Sequence, residues 1–374
     1  MMKKVIFDVD GVLLSEKRYF DVSALVLWEW YYGKGYMNLE DDDVTSAVSE
    51  GQIVSLRTRL LERDQILIWL KQHGINNNWD MVHAHILVVL WLLLEQYQAD
   101  GGAVPAWEFK EYGDIRMAGQ LGRPYGVPKS SAVLQRLQET VPDGVSKDDV
   151  FVLLGEAMAR TLGHQAKAWA KLESPLWQLH FHCFQNWYFG DVLYEQTYHR
   201  TPYAGGKTGF LQREEPLGTI EGIRHMFREL KRRGYDIAIG TGRSYMEMKI
   251  PFEAFGWYSE FEPQYICTET DVVEAGQQLG LSLGKPNPFV YYAAAFGKDP
   301  EHYAQYAIQD GLPEGATCYI VGDSLSDVWC AQKMGARMIG TLTGLEGKAA
   351  RQMFEREGVT HIVDSVEGIL DILA

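Results

Sequence analysis

Cysteine is scarce in this 374-residue chain, and the four present (Cys183, Cys267, Cys318 and Cys330) form no CxxC pair and no regular spacing. That excludes a disulfide-framed scaffold and leaves the thiols as small, reduced core residues of a cytosolic protein. Net positive charge is missing as well: 35 lysines and arginines face 50 aspartates and glutamates, a formal net charge of -15. A broad electrostatic grip on nucleic acid or on an anionic membrane is therefore not expected. An anionic ligand would have to be held by a few placed cations and a metal. Long apolar runs are also lacking. The longest, Ile86 to Leu94, has nine residues, against ~20 for a membrane-spanning helix, and reads as part of a buried helix. The opening MMKKVIFDVDGVLL places two lysines before an apolar run, but Asp8 and Asp10 interrupt it. No targeting segment is expected, and the expected location is the cytoplasm.

What is present is an ordinary globular composition, 46% hydrophobic and 23% charged, able to bury a sizeable core. The length fits two domains, or three, at about 150 residues each. The C-terminal part alternates β-branched runs with amphipathic helical patterns, the signature of βαβ units and a parallel sheet. Lys4 to Asp8 predicts a first strand. Ile237 to Thr241, Gln264 to Cys267, Cys318 to Asp323, Met338 to Leu342 and His361 to Val363 predict the others. Thr219 to Arg233 and Ser324 to Met334 predict helices. Between them the pattern is helical: Tyr19 to Tyr32, Val54 to His73, Trp79 to Ala99, Lys147 to Leu162 and Gln165 to Phe189, with a Gly/Pro-rich loop from Asp100 to Ser130. Nine of eleven tryptophans lie in this insert, which must carry its own core. The expected organisation is an α/β core of residues 1–15 plus 216–374 and a helical domain of residues 16–215.

Four segments carry chemistry. VIFDVDGV sets Asp8 and Asp10 at the carboxyl end of an apolar strand, where open α/β sheets bind ligands; two such acids beside a divalent cation can divide the roles of nucleophile and acid. Alone they could be a surface turn. IAIGTGR ends a strand in Thr241 and Gly242, whose hydroxyl and amide could hold a phosphoryl oxygen, or Thr241 or Ser244 could cap a helix. LGKPNP sets Lys285 in a rigid turn. YIVGDSLSDV ends a strand in Asp323, with Asp327 one helical turn on, where Ser324 and Asp327 also fit a capping box. An acid ending a buried strand, as Asp323 does, needs a cation or donors.

Together and in this order, DVDGV, Thr241-Gly-Arg, Gly284-Lys285-Pro-Asn-Pro and Gly322-Asp323 with Asp327 resemble the four motifs of the haloacid dehalogenase (HAD) superfamily, over about half the chain. The resemblance implies a Rossmann-like parallel-sheet core and Mg2+-dependent hydrolysis of a small phosphorylated metabolite. Asp8 would attack phosphorus to give an aspartyl-phosphate, and Asp10 would protonate the leaving alcohol and then activate water. Thr241, Gly242 and Lys285 would bind the phosphoryl oxygens. Magnesium would lie on Asp8, the carbonyl of Asp10 and Asp323, with Asp327 at the metal site or bracing Lys285 and metal-bound water. The carbon–halogen hydrolases of this superfamily typically lack the second aspartate, so Asp10 argues for phosphate esters. A sugar-phosphate mutase is the alternative enzyme, and a non-catalytic binding protein would normally have lost Asp8 or Asp10.

The insert stands where this superfamily carries a C1-type cap, but it is longer than usual. It is expected to close over Asp8 and select the substrate, with Lys207 and Arg123 as candidate substrate contacts. AGGKT around Lys207 lacks the first glycine and the strand of a phosphate-binding P-loop. His180 and His182 would diverge on a helix, so packing is the expected role of both. A monomer or homodimer is expected.

Overall fold

Aliphatic and β-branched runs form six short strands: β1 (Met2–Phe7), β2 (Asp236–Gly240), β3 (Ile266–Cys267), β4 (Ala316–Gly322), β5 (Arg337–Thr341) and β6 (His361–Val363). The computed structural model describes residues 2–373. All strands pair in parallel in the order β3-β2-β1-β4-β5-β6, and helical crossovers supply the returns that parallel pairing requires. Side chains alternate across the sheet. Val5 and Phe7 enter one core with Ile237, Ile239 and Val321; Ile6 enters the other with Ala238, Cys318 and Ile320. Both faces are therefore covered, as a parallel sheet demands.

Phe7 pairs with Ile239 of β2 and with Val321 of β4. The segments that follow β1 and β4 thus leave the same edge of the sheet side by side, at the point where the strand order reverses. In open α/β sheets that crevice receives ligands.

The chain divides into two compact units. One comprises Lys17 and the residues before it together with Leu211 and those after it; the other is Arg18–Phe210. In the first, the Ser15 N–H donates to the Glu215 carbonyl at 2.8 Å and the Leu217 N–H to that of Leu13 at 2.9 Å, so the sequence leaves and re-enters through paired backbone. The second is helical. Its longest helix, Asn78–Ala99, is buried along most of its length, which explains the run Ile86 to Leu94. No helix among the described residues is long and apolar enough to cross a membrane.

Three helical expectations for the insert change. Val54 to His73 is two helices, Glu50–Leu60 and Gln65–Gln72, separated at Glu62, Arg63 and Asp64, whose φ values are 50, 52 and 66°. That left-handed stretch cannot continue a helix, and Arg57 spans it, reaching Asp64 at 2.7 Å and Asp21 at 2.9 Å. Gln165 to Phe189 is also divided, because Pro175 starts a new helix, Pro175–Phe189, with Ser174 as its N-cap. The loop from Asp100 to Ser130 contains a helix, Tyr112–Gly122, that buries Ile115 and Ala118; its glycines mask the pattern. In the sheet, β3 is shorter than Gln264 to Cys267 because Pro263 opens a 3-10 turn, Pro263–Tyr265.

Candidate active site

β1 stops at Phe7, and the chain turns at once. The Asp8 N–H still donates to the Val321 carbonyl at 2.9 Å, which fixes the residue at the end of its strand. Gly11 follows at φ +68°, a conformation that disfavours a side chain. Thr343, just beyond β5, donates its hydroxyl to the Gly11 carbonyl at 2.6 Å and holds the turn. Because the strand ends early, Asp8 and Asp10 do not simply share one extended face; their carboxylates go to different partners.

Asp8 Oδ2 accepts from Lys285 Nζ at 2.7 Å, and Oδ1 accepts from the Val9 N–H at 2.8 Å. Lys285, which precedes Pro286 through a cis peptide bond, also donates to Asp327 Oδ1 and to the Tyr291 hydroxyl, each at 2.8 Å. Its three protons are thus fully used. Tyr291 in turn donates to Asp327 Oδ1 at 2.7 Å. Burial pushes the Asp8 carboxyl up to about 7, against the pull of the Lys285 ammonium and with a further push from Asp327. Burial works to lower the Lys285 pKa, but Asp327 and Asp8 outweigh it and hold the ammonium above the ordinary lysine value. Asp327 is buried too, yet Lys285 keeps its carboxyl below the usual range.

Asp327 fills both roles raised by its sequence. It closes a capping box with Ser324, whose hydroxyl donates to its Oδ2 at 2.7 Å, and it braces Lys285. Asp323 directly follows β4, beside Asp8. Asp8, Asp323 and Asp327 can each offer an oxygen such that all three lie within 4.8 Å of one another. Glycine makes room for Asp323: a Cβ at Gly11 would stand 2.2 Å, and one at Gly344 1.9 Å, from its Oδ2. An all-oxygen set of charged donors fits a small hard divalent cation. Asp8 and Asp323 are the better ligands, since both oxygens of Asp327 already accept from Lys285, Tyr291 and Ser324.

Thr241 is wholly buried; its N–H donates to the Cys267 carbonyl and its Oγ1 accepts from the Arg243 N–H at 3.1 Å. Gly242 is exposed. Arg243 was legible only as part of a motif, and it proves to be the partner of Asp10: its Nε and Nη2 donate to Asp10 Oδ1 at 2.8 and 2.6 Å. Tyr291 carried no distinguishing signal in the apolar run FVYYAAAF, where Tyr292 looks the same.

Both expected substrate contacts of the insert have partners within their own unit. Lys207 is buried, not solvent-facing: its Nζ lies 3.0 Å from Glu29 Oε1, donates to the Ala204 carbonyl at 2.6 Å and sits over the Trp187 ring. Arg123 is tied to the Asn38 carbonyl at 2.6 Å and to Asp41 at 2.7 Å. Lys207 therefore serves the interior of the unit, whereas Arg123 lies at its surface with 41% of its side chain exposed. The histidines follow the packing expectation. His180 meets His83 at 2.8 Å and lies edge-on to Trp30, whereas His182 meets the Tyr194 hydroxyl at 3.0 Å.

With this geometry in hand, the chain can be set beside known proteins. The HAD-hydrolase-like family model matches residues 282–369, the stretch that holds Lys285, Asp323 and Asp327. An X-ray structure of a structural-genomics target is 33% identical, over 100% of this chain and 98% of that one, with a TM-score of 0.79. A hydrolase from Pseudomonas syringae is 16% identical over 100% and 98%, with a TM-score of 0.37. A HAD-family hydrolase from Deinococcus radiodurans, solved with phosphate and sodium, is 16% identical over 100% and 96%, with a TM-score of 0.41. No curated protein matches the chain. Fold and site together define an α/β protein with a carboxylate cluster at the switch point of a parallel sheet. The chain belongs to the haloacid dehalogenase superfamily.

Proposed function

We propose that this protein is a phosphomonoesterase that passes the phosphoryl group through Asp8. The observation that carries the reading is the contact of Lys285 with Asp8 beside the Asp323 and Asp327 carboxylates, 2.7 Å from ammonium to nucleophile. An ammonium bonded to the attacking carboxylate reduces its repulsion from a phosphate dianion and favours its ionised form. Magnesium is the proposed cation, held by Asp8, Asp323 and the Asp10 carbonyl. When bound it would supply further neutralisation of the transferring phosphoryl group.

Asp8 takes the phosphoryl group as the ester's P–O bond breaks, with Asp10 giving its proton to the departing alkoxide. Asp10 then removes a proton from the water that attacks phosphorus, which releases inorganic phosphate and restores the Asp8 carboxylate. Thr241 and Gly242 are proposed to orient phosphoryl oxygens, and the helical insert to select among small phosphorylated metabolites. The test is phosphate release from a panel of such metabolites with magnesium present. Turnover of at least one ester, lost on chelation, is the expected result; no release from any of them would contradict the reading.

A further inference from the structure

The proposed acid and base, Asp10, stands on a turn beyond the strand end with 27% of its side chain exposed. A carboxylate so placed could rotate freely, yet proton transfer needs a fixed oxygen within hydrogen-bond reach. Arg243 removes that freedom. Two of its N–H groups converge on one oxygen, Asp10 Oδ1, at 2.8 and 2.6 Å, and Oδ2 accepts no hydrogen bond among the described residues.

The arginine is itself held from several sides. Its side chain is fully excluded from solvent, its Nη1 lies 3.4 Å from Glu214 Oε1 and donates to the Glu247 carbonyl at 3.3 Å. Its backbone N–H donates to Thr241 Oγ1 at 3.1 Å and its carbonyl accepts from the Glu269 N–H at 2.8 Å. Glu247 is fixed in turn, accepting from the Ser244 N–H at 2.9 Å. A planar fork locked in this way transmits its orientation to the carboxylate it grips.

We infer that Arg243 is the positioning residue for Asp10, and that it assigns the two carboxylate oxygens different tasks: Oδ1 is the anchor and Oδ2 carries the proton. This rests on the phosphomonoesterase reading. In the first half-reaction the proton on Oδ2 passes to the alkoxide as the ester P–O bond breaks and the bond to Asp8 forms. In the second, Oδ2 takes a proton from the attacking water while the aspartyl-phosphate bond breaks. The competing role is purely structural, with Arg243 present to neutralise Glu214 and to brace the loop after β2.

The two roles differ in their dependence on the leaving group. kcat/KM reports only the steps up to formation of the phosphoenzyme, where the acid matters most for a poor leaving group. Arg243→Lys keeps the charge and loses the fork. It should lower kcat/KM for phenyl phosphate about 10- to 100-fold, a partial loss of the ~10²–10⁴ that general acid catalysis supplies, and for 2,4-dinitrophenyl phosphate less than about threefold, since that leaving group needs little protonation. In an Asp10→Asn background the effect of Arg243→Lys should vanish, because a residue acting through Asp10 has nothing left to position. Arg243→Gln, assayed with and without added guanidinium, is the second variant, and guanidinium should restore the phenyl phosphate reaction selectively.

Equal losses on both esters, no loss on either, or an undiminished effect in the Asp10→Asn background would overturn the inference. A wild-type protein that hydrolyses none of these esters would overturn the phosphomonoesterase reading itself, whereas an active wild type with a uniform loss removes only the role of Arg243.

Discussion

Lys285 Nζ lies 2.7 Å from Asp8 Oδ2 although the two residues are 277 positions apart in the chain. The contact exists because β1 sits at the middle of the sheet and the turn at Lys285 leads into the helix Phe289–Phe296, which carries Tyr291 beneath the same ammonium. Tyr291→Phe removes one acceptor from Lys285 and one donor from Asp327. Stability should fall by about 1.5–3 kcal/mol, the usual range for a hydrogen bond to a charged group. The ammonium would also gain freedom, so kcat should drop about tenfold with KM little changed. Denaturant titration and steady-state kinetics of the variant check both; unchanged kcat would remove Tyr291 from the positioning of Lys285.

Removal of divalent cations with a chelator should abolish phosphate release, and magnesium should restore it. Calcium should inhibit, because it takes more ligands and could engage both oxygens of Asp8. Asp323→Asn should raise the magnesium concentration needed for half-maximal rate at least tenfold. Full activity in the chelated enzyme, or an Asp323→Asn variant with unaltered magnesium dependence, would contradict the assignment of the carboxylate cluster.

Lys207 should matter for folding and not for substrate choice. Lys207→Ala leaves the buried Glu29 without its cation, and breaking a buried pair in this way costs about 3–5 kcal/mol. Tryptophan fluorescence reports the loss directly, since nine of the eleven tryptophans lie in the helical unit. A Lys207→Met, Glu29→Gln double variant should recover much of the stability. Wild-type stability of Lys207→Ala would show that the pair contributes nothing.

Acid should destabilise the helical unit above the range where carboxylates titrate. Burial pushes His83 down to about 3 and His85 to about 4, with backbone hydrogen bonds opposing, and puts His180 well below its ordinary value. The unfolded chain binds a proton at each of them below about 6.5, and the folded unit does not. The unfolded state therefore holds more protons, and stability must fall as pH drops from about 6.5 toward the folded values. At pH 5 each histidine should cost about 2 kcal/mol relative to pH 8. Urea titrations followed by tryptophan fluorescence at both pH values test this; a midpoint that did not move would contradict it.

The candidate site residues were legible where a strand ends in a polar group that an apolar core cannot tolerate without a partner. Asp8 and Asp323 stand out in that way, Lys285 by its place in a Gly/Pro turn, and the capping box of Asp327 could be read from Ser324. The parallel sheet was legible for the same reason, as apolar runs with few competing patterns. Partners were less so. Arg243 looked like a label on Thr241-Gly because sequence does not reveal that its guanidinium folds back onto Asp10, and Tyr291 is indistinguishable from Tyr292 until the helix is placed. Lys207 looked available because a lysine between glycines and threonine usually faces water, yet Glu29, 178 residues earlier, draws it into the interior. The helix breaks at Glu62 to Asp64 were hidden because an ion pair, not glycine or proline, holds the turn.

The most direct test of the account is to mix the magnesium-loaded enzyme with 2,4-dinitrophenyl phosphate, quench in acid within one turnover, and map the phosphoryl group by peptide mass spectrometry. The increment should fall on Asp8, appear as fast as dinitrophenol is released, and be absent from an Asp8→Asn variant that no longer turns over. A phosphoryl group found on another residue, or sustained turnover by Asp8→Asn, would contradict covalent catalysis at Asp8.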